Sequence, residues 1–369
     1  MLKKLEEQIG EPICPVSEAD FAAELAKPNL ITENNHVVAL NLSNQRLDSL
    51  TESFGVFKNL RLLILRKNYL SSLPRSFFEL SNLQTVVLSF NYLKNLPNEI
   101  ELLKNLQDLN LAGNQLKNLP RTFGNLVNLQ KLNLRDNLLK TLPKNFVRLS
   151  RLQILYLSKN RLETLSDSFC QLSNLHTLTL GCNQLRFLPE KFGQLINLKT
   201  LSLFDNQLDS LPKSFGNLKN LETLDLNRNQ LISLPETFGQ LVNLQKLYLV
   251  DNQLRSFPKG FEHLPKISIF AFGKNPLGGM LAALWLSKEN SVFRNSWLSA
   301  GAGLFDHPLV DELYPDSLKR IGNVFCPFCG SSELVIGKEM EELERIFCPI
   351  CENVIQRTGI PANLEGKIK

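Results

Sequence analysis

An asparagine returns every 23 residues along most of this chain: Asn68, Asn91, Asn114, Asn137, Asn160, Asn183, Asn206, Asn229, Asn252 and Asn275 keep that interval, and Gln45 stands one step before them. Eleven units in strict register leave few choices of fold. A unit this short cannot bury its own apolar face, so it is stable only when stacked on its neighbours, with atypical caps at the two ends.

The unit around Asn137 shows what each position does. Leu132 and Leu134 alternate with Lys131, Asn133 and Arg135, which predicts a short strand with leucines inward and polar residues outward. At the corner after the strand, the asparagine amide can both donate to and accept from backbone groups that the turn leaves unpaired. Stacked asparagines then form an internal ladder. The return half, Leu142-Pro143 to Phe146 and Leu149, spaces its apolar residues three or four apart, as a short helical or irregular outer segment requires. Phe54, Phe77, Phe123, Phe146, Phe169, Phe192, Phe215, Phe238 and Phe261 recur there, with Ile100 once in their place.

This pattern, LxxLxLxxNxL at a period between 20 and 29, resembles the leucine-rich repeat family. The form Leu-Pro-x-x-Phe, at Leu119-Pro120 to Phe123, Leu188-Pro189 to Phe192, Leu211-Pro212 to Phe215 and Leu234-Pro235 to Phe238, is similar to the class found in plant intracellular Ras-group proteins and animal Ras-pathway scaffolds. Ser166 departs from it where proline is usual. The resemblance implies an α/β solenoid, a horseshoe with a parallel concave sheet, and a role in protein recognition, possible settings including small-GTPase signalling. It leaves the partner open.

Around the repeats we expect four parts: a helical N-terminal cap at 1–36, the repeats at 37–277, a C-terminal cap and connector at 278–324, and a four-cysteine module at 325–360. Leu2 to Ile9 and Ser17 to Leu25 read as the cap helices, the second opened by a serine with acids in its first turn. Ile31 to Leu47 reads as a degenerate opening unit. Met280 to Ser287 reads as a short apolar sealing helix.

In the module, Cys326-x-x-Cys329 and Cys348-x-x-Cys351 have the spacing of a zinc ribbon, with Leu334–Ile336, Arg345–Phe347 and Asn353–Gln356 as its strands. Four thiolates fill a tetrahedral ion, so Zn2+ there would be structural and not catalytic. Paired redox dithiols are the alternative, without the βαβ context they need. Cys14, Cys170 and Cys182 read as incidental thiols. His36, His176, His263 and His307 stand apart, with no pattern for base catalysis, so the chain reads as no enzyme.

Charge is unevenly placed. Residues 37–277 hold 29 Lys and Arg against 17 Asp and Glu, while 1–36 hold 3 against 7 and 278–369 hold 9 against 12. The bias peaks between Lys104 and Arg161. A basic body between acidic ends fits a protein partner with an acidic surface; the plainer reading is a solvated surface that keeps a leucine-rich body soluble. The acidic tail argues against nucleic acid binding through the cysteine module, since phosphate contacts need clustered cations. No segment has the roughly 20 apolar residues of a membrane span, the N-terminus lacks a secretory core, and the cysteines have metal rather than disulfide spacing, so a cytoplasmic setting is expected.

With the leucines committed to the core, recognition falls to the outward strand positions, and Arg66, Phe90, Lys131, Arg135, Tyr156, Lys159, Phe204, Asp225, Arg228 and Tyr248 are the candidates. Aromatic groups beside arginines are common interface anchors. An alternative follows from the order of parts: a repeat array, an apolar helix, then Leu313-Tyr314-Pro315 to Leu318 and a cysteine tail resemble substrate-recruiting adaptors of cullin-type ubiquitin ligases, although Leu281 to Leu286 does not match their recruiting motif cleanly.

Overall fold

A computed structural model describes residues 2–23, 27–261, 264, 266–272, 274–276, 345–347 and 354–356. The chain divides into two compact units, Met1–Leu185 and Arg186–Lys369.

The first unit opens with α1 (Leu2–Ile9), β1 (Cys14–Pro15), α2 (Glu18–Ala23), β2 (Asn29–Glu33) and β3 (His36–Asn41). The opening segment is therefore helical only in part. β2 and β3 form an antiparallel hairpin, turned at Asn34 and Asn35 with φ of 48° and 61°. Two asparagines tolerate that left-handed turn between β-branched runs, which the reading of Ile31 to Leu47 as a degenerate opening unit did not anticipate. Leu5, Ile13 and Phe21 are buried, and the Ile13 N–H donates to Glu6 Oε1 at 3.0 Å.

From β3 the sheet grows by one parallel strand per repeat: β4 (Leu62–Ile64), β5 (Thr85–Val87), β6 (Asp108–Asn110), β7 (Lys131–Asn133), β8 (Ile154–Tyr156) and β9 (Thr177–Thr179). Each residue pairs with the one 23 positions on, as Leu109 with Leu132 and Leu132 with Leu155. That register puts every inward leucine over its counterpart, and Leu109, Leu132 and Leu155 are at most 1% exposed.

The outer return is a 3-10 turn in place of an α-helix. At Lys144–Arg148 it starts from Pro143 at φ −65°, ψ 148° and buries Phe146. The 3-10 form closes this short return in five residues. Ser166 holds nearly the same backbone, φ −76° and ψ 154°, so the missing proline leaves the turn intact. Successive phenylalanines stack, Phe123 on Phe146 at 6.2 Å and Phe146 on Phe169 at 6.5 Å between centroids. Beside them Gly124 lies so close to the next turn that a Cβ would collide with the Asn145 carbonyl oxygen. No larger residue fits that backbone unmoved.

The second unit continues the same plan with β10 (Thr200–Ser202), β11 (Thr223–Asp225), β12 (Lys246–Tyr248) and β13 (Ile269–Ala271), paired in parallel in that order. Phe192, Phe215, Phe238 and Phe261 stack at 5.8–6.2 Å. Further on, β14 (Arg345–Phe347) and β15 (Val354–Gln356) make an antiparallel pair. These are two of the three strands expected in the cysteine module. The four cysteines Cys326, Cys329, Cys348 and Cys351, the strand Leu334–Ile336, the sealing helix at Met280 and the segments of the adaptor alternative lie outside the described residues. Among the described residues, no helix is long and apolar enough to cross a membrane.

Candidate functional site

The asparagine ladder sets the geometry of the strand face. Asn137 Nδ2 donates to the Leu111 and Leu134 carbonyls at 2.9 and 3.1 Å, and its Oδ1 accepts the Leu116 N–H at 3.0 Å. Asn68, Asn91, Asn114, Asn160 and Asn183 repeat these contacts, each at most 8% exposed. Gln45, which opens the column, turns its amide locally onto the Ser43 carbonyl at 2.9 Å.

To make this corner, the residue before each asparagine adopts a left-handed backbone: Lys67, Phe90, Asp136, Lys159 and Cys182 in the first unit, and Asp205, Arg228, Asp251 and Lys274 in the second, all with φ between 53° and 63°. Only Gly113 among them lacks a side chain. L-residues disfavour this region, so the corner holds Phe90 and Lys159 against a local cost of about 1–2 kcal/mol each. The same twist lifts their side chains clear of the leucine core.

Of the expected recognition residues in the first unit, Arg66, Phe90, Lys131 and Lys159 are exposed, and Arg135 and Tyr156 half-buried. Lys131 pairs with Asp108 at 3.3 Å. The Arg66 guanidinium lies over the Phe90 ring, 5.3 Å from its centroid. In the second unit Arg228 is exposed, Phe204 and Asp225 are half-buried, and Tyr248 is only 8% exposed, the least accessible of the ten. Asp225 Oδ1 accepts the Asn227 N–H at 3.0 Å, yet burial pushes its carboxyl up to about 7, the hydrogen bond countering only part of that rise. Burial, then the neighbouring Asp225 charge, raises the Tyr248 phenol.

Sequence reasoning missed a groove in the first unit. Arg46, Lys67, Tyr69, Phe90 and Tyr92 line an open hollow of about 470 Å³ with Gly113 at its end. Tyr69, Phe90 and Tyr92 are 50%, 47% and 47% exposed, and the two tyrosine rings stack at 5.9 Å. Tyr69 and Tyr92 sit one residue past the ladder asparagine, outside the strand positions that were searched. The signal was present in the repeat itself: Gln115, Gln184, Gln207, Gln230 and Gln253 occupy that column in later units.

Also missed was a second asparagine column. Asn82, Asn105, Asn128 and Asn174 each donate to the carbonyl 24 residues earlier at 2.7–2.9 Å, as do Asn220 and Asn243 in the second unit. Where a cation replaces the asparagine, it turns to the preceding one: Arg151 Nη1 reaches Asn128 Oδ1 at 2.7 Å and Lys266 Nζ reaches Asn243 Oδ1 at 2.6 Å. Among the described residues, no three His, Cys, Asp or Glu side chains gather as metal ligands would.

The comparisons agree with this geometry. The leucine rich repeat model matches residues 58–116, 81–139, 119–162, 128–185 and 150–208, and the leucine-rich repeat region model matches 189–270. This chain belongs to the leucine-rich repeat proteins. No curated protein matches it. Among solved structures it is similar to the ectodomain of the Arabidopsis thaliana receptor kinase GASSHO1/SCHENGEN3 in complex with CASPARIAN STRIP INTEGRITY FACTOR 2, at 31% identity and a TM-score of 0.60 over 70% of this chain and 32% of that one. The plant peptide hormone receptor RGFR1 in complex with RGF2 is 27% identical, with a TM-score of 0.50 over 64% and 48%. The Drosophila Toll–Spatzle complex is 28% identical, with a TM-score of 0.55 over 62% and 33%. The chain thus spans less than half the length of each of these proteins.

Proposed function

We propose that this protein is a non-enzymatic scaffold that holds a protein partner with an acidic surface on the outward side of its strands, in an intracellular setting such as small-GTPase signalling. The observation that carries the reading is the division of labour along each strand. Leucines fill the core, asparagines fill the corner, and the remaining positions present Arg66, Phe90, Lys131 and Lys159 to solvent. Side chains with no packing duty are free to be chosen for recognition. The similar solved structures named above support it, since each is a complex, with CASPARIAN STRIP INTEGRITY FACTOR 2, RGF2 and Spatzle respectively.

The cysteine module is read as a structural zinc ribbon that caps the array or engages a second protein. Its C-x-x-C spacing supports this, as does the strand pair β14–β15, which brackets Cys348 and Cys351 in sequence. The test of the scaffold is affinity capture from native lysate with the full chain and with Arg135→Glu plus Lys159→Glu. Loss of the main captured protein, with the denaturation midpoint unchanged, is the expected result. Undiminished capture removes the reading. Metal analysis of the purified chain against Cys348→Ser tests the zinc separately.

A further inference from the structure

The groove between Arg46 and Gly113 brings cations and aromatics into one hollow. Arg46 and Lys67 line it and Arg66 covers Phe90 beside it, and among the described residues no carboxylate is paired with any of the three, whereas Arg61, just before β4, is paired with Glu33 at 3.1 Å. Its aromatics are about half exposed and already ordered. Phe90 lies under the Arg66 guanidinium and against Gly113, where a Cβ would come within 2.6 Å of the ring. Tyr69 and Tyr92 brace each other at 5.9 Å with their planes 27° apart. Ordered rings lose little conformational freedom on binding.

The groove also has a direction. Its lining comes from four consecutive repeats, so at about 4.8 Å per strand it runs roughly 15 Å, the length of four or five extended residues. Arg46 and Lys67 lie toward one end and Phe90 and Tyr92 toward the other, with Tyr69 and the Arg66 guanidinium between them. We infer that this groove binds an extended acidic peptide segment of a partner protein, with its carboxylates on Arg46, Arg66 and Lys67 and an aromatic or proline side chain against Phe90, Tyr69 and Tyr92. A bare phosphate chain fits less well. The cations do not track a backbone along the whole groove: none of its lining residues in the repeat of Phe90 and Tyr92, or in that of Gly113, is a cation. The inference rests on the scaffold reading and names the chemistry of its partner.

The experiment uses the full chain and fluorescence anisotropy with labelled peptide pools. One pool is built of Asp, Glu, Phe, Tyr and Pro; a second of Asp, Glu, Ser and Ala; a third of Lys, Arg, Phe and Tyr; oligothymidylate is the fourth probe. The first pool should bind at least about tenfold tighter than the others, with an affinity that falls as salt rises. Arg66→Glu with Lys67→Glu, and separately Tyr69→Ser with Tyr92→Ser, should each weaken it by about tenfold or more. These side chains are exposed, so the denaturation midpoint should hold, and Lys199→Glu in the second unit should change nothing. Equal binding of the acid-only pool, equal binding by both groove variants, or preferential binding of oligothymidylate would overturn the inference. If lysate capture depends on Arg135 and Lys159 while the groove variants bind every probe as before, the groove fails and the scaffold stands. If the groove binds its pool and no lysate protein is captured, the groove stands and the scaffold fails.

Discussion

The two asparagine columns use the same side chain at the same 23-residue spacing, yet their contributions to stability should differ severalfold. In the inner column Asn137 satisfies one buried N–H and two buried carbonyls that no water reaches. In the outer column Asn128 satisfies a single carbonyl, that of Lys104, at an exposed site. A buried backbone group left without its partner costs about 1–3 kcal/mol, whereas an exposed one turns to water. The contrast teaches that periodicity reports geometry and that burial sets the energy.

The largest test of this contrast is Asn137→Ala. It should lower unfolding stability by about 3 kcal/mol in urea titration. The next addresses a site between the extremes. Asn110, Asn133 and Asp225 occupy one strand position, and each accepts the N–H two residues on at 3.0–3.1 Å. Only the aspartate adds a charge there. Its carboxyl titrates near 3.8 when unfolded and near 7 when folded, so the folded state binds the extra proton in between, and stability falls as pH rises through that window. Asp225→Asn keeps the hydrogen bond and removes the charge. It should match the parent at pH ~4 and exceed it by about 2 kcal/mol at pH ~6, read from urea midpoints at both pH values. A gain of equal size at both pH values would contradict the assignment.

Asn128→Ala should cost only about 0.5 kcal/mol, and a loss equal to that of Asn137→Ala would erase the distinction between the columns. Smallest of all, Arg151→Asn restores the outer column at a site where the arginine already bonds Asn128, and should shift stability by less than about 0.5 kcal/mol either way.

Much of this architecture was legible in advance. The positions of Leu132, Leu134, Asn137 and Phe146 recur so regularly that strand, corner and return half could each be placed from sequence, because every unit meets the same neighbours. The groove was not legible in the same way. Tyr69 and Tyr92 occur in two units only, and a search keyed to what repeats passes over what does not. The β2–β3 hairpin was missed because terminal residues obey local turn chemistry, at Asn34 and Asn35, and not the repeat.

The sequence by itself determined the fold and its register, since a fixed interval of leucines and asparagines has one way to stack. Only the tertiary structure decided which charges are paired, which rings meet and which carboxyl is desolvated. Lys131 with Asp108, Tyr69 with Tyr92 and Asp225 with Tyr248 are each 23 residues apart along the chain and brought side by side by strand pairing. The physical reason is that burial and charge pairing depend on what occupies the adjacent unit, which differs from one repeat to the next although the spacing never does.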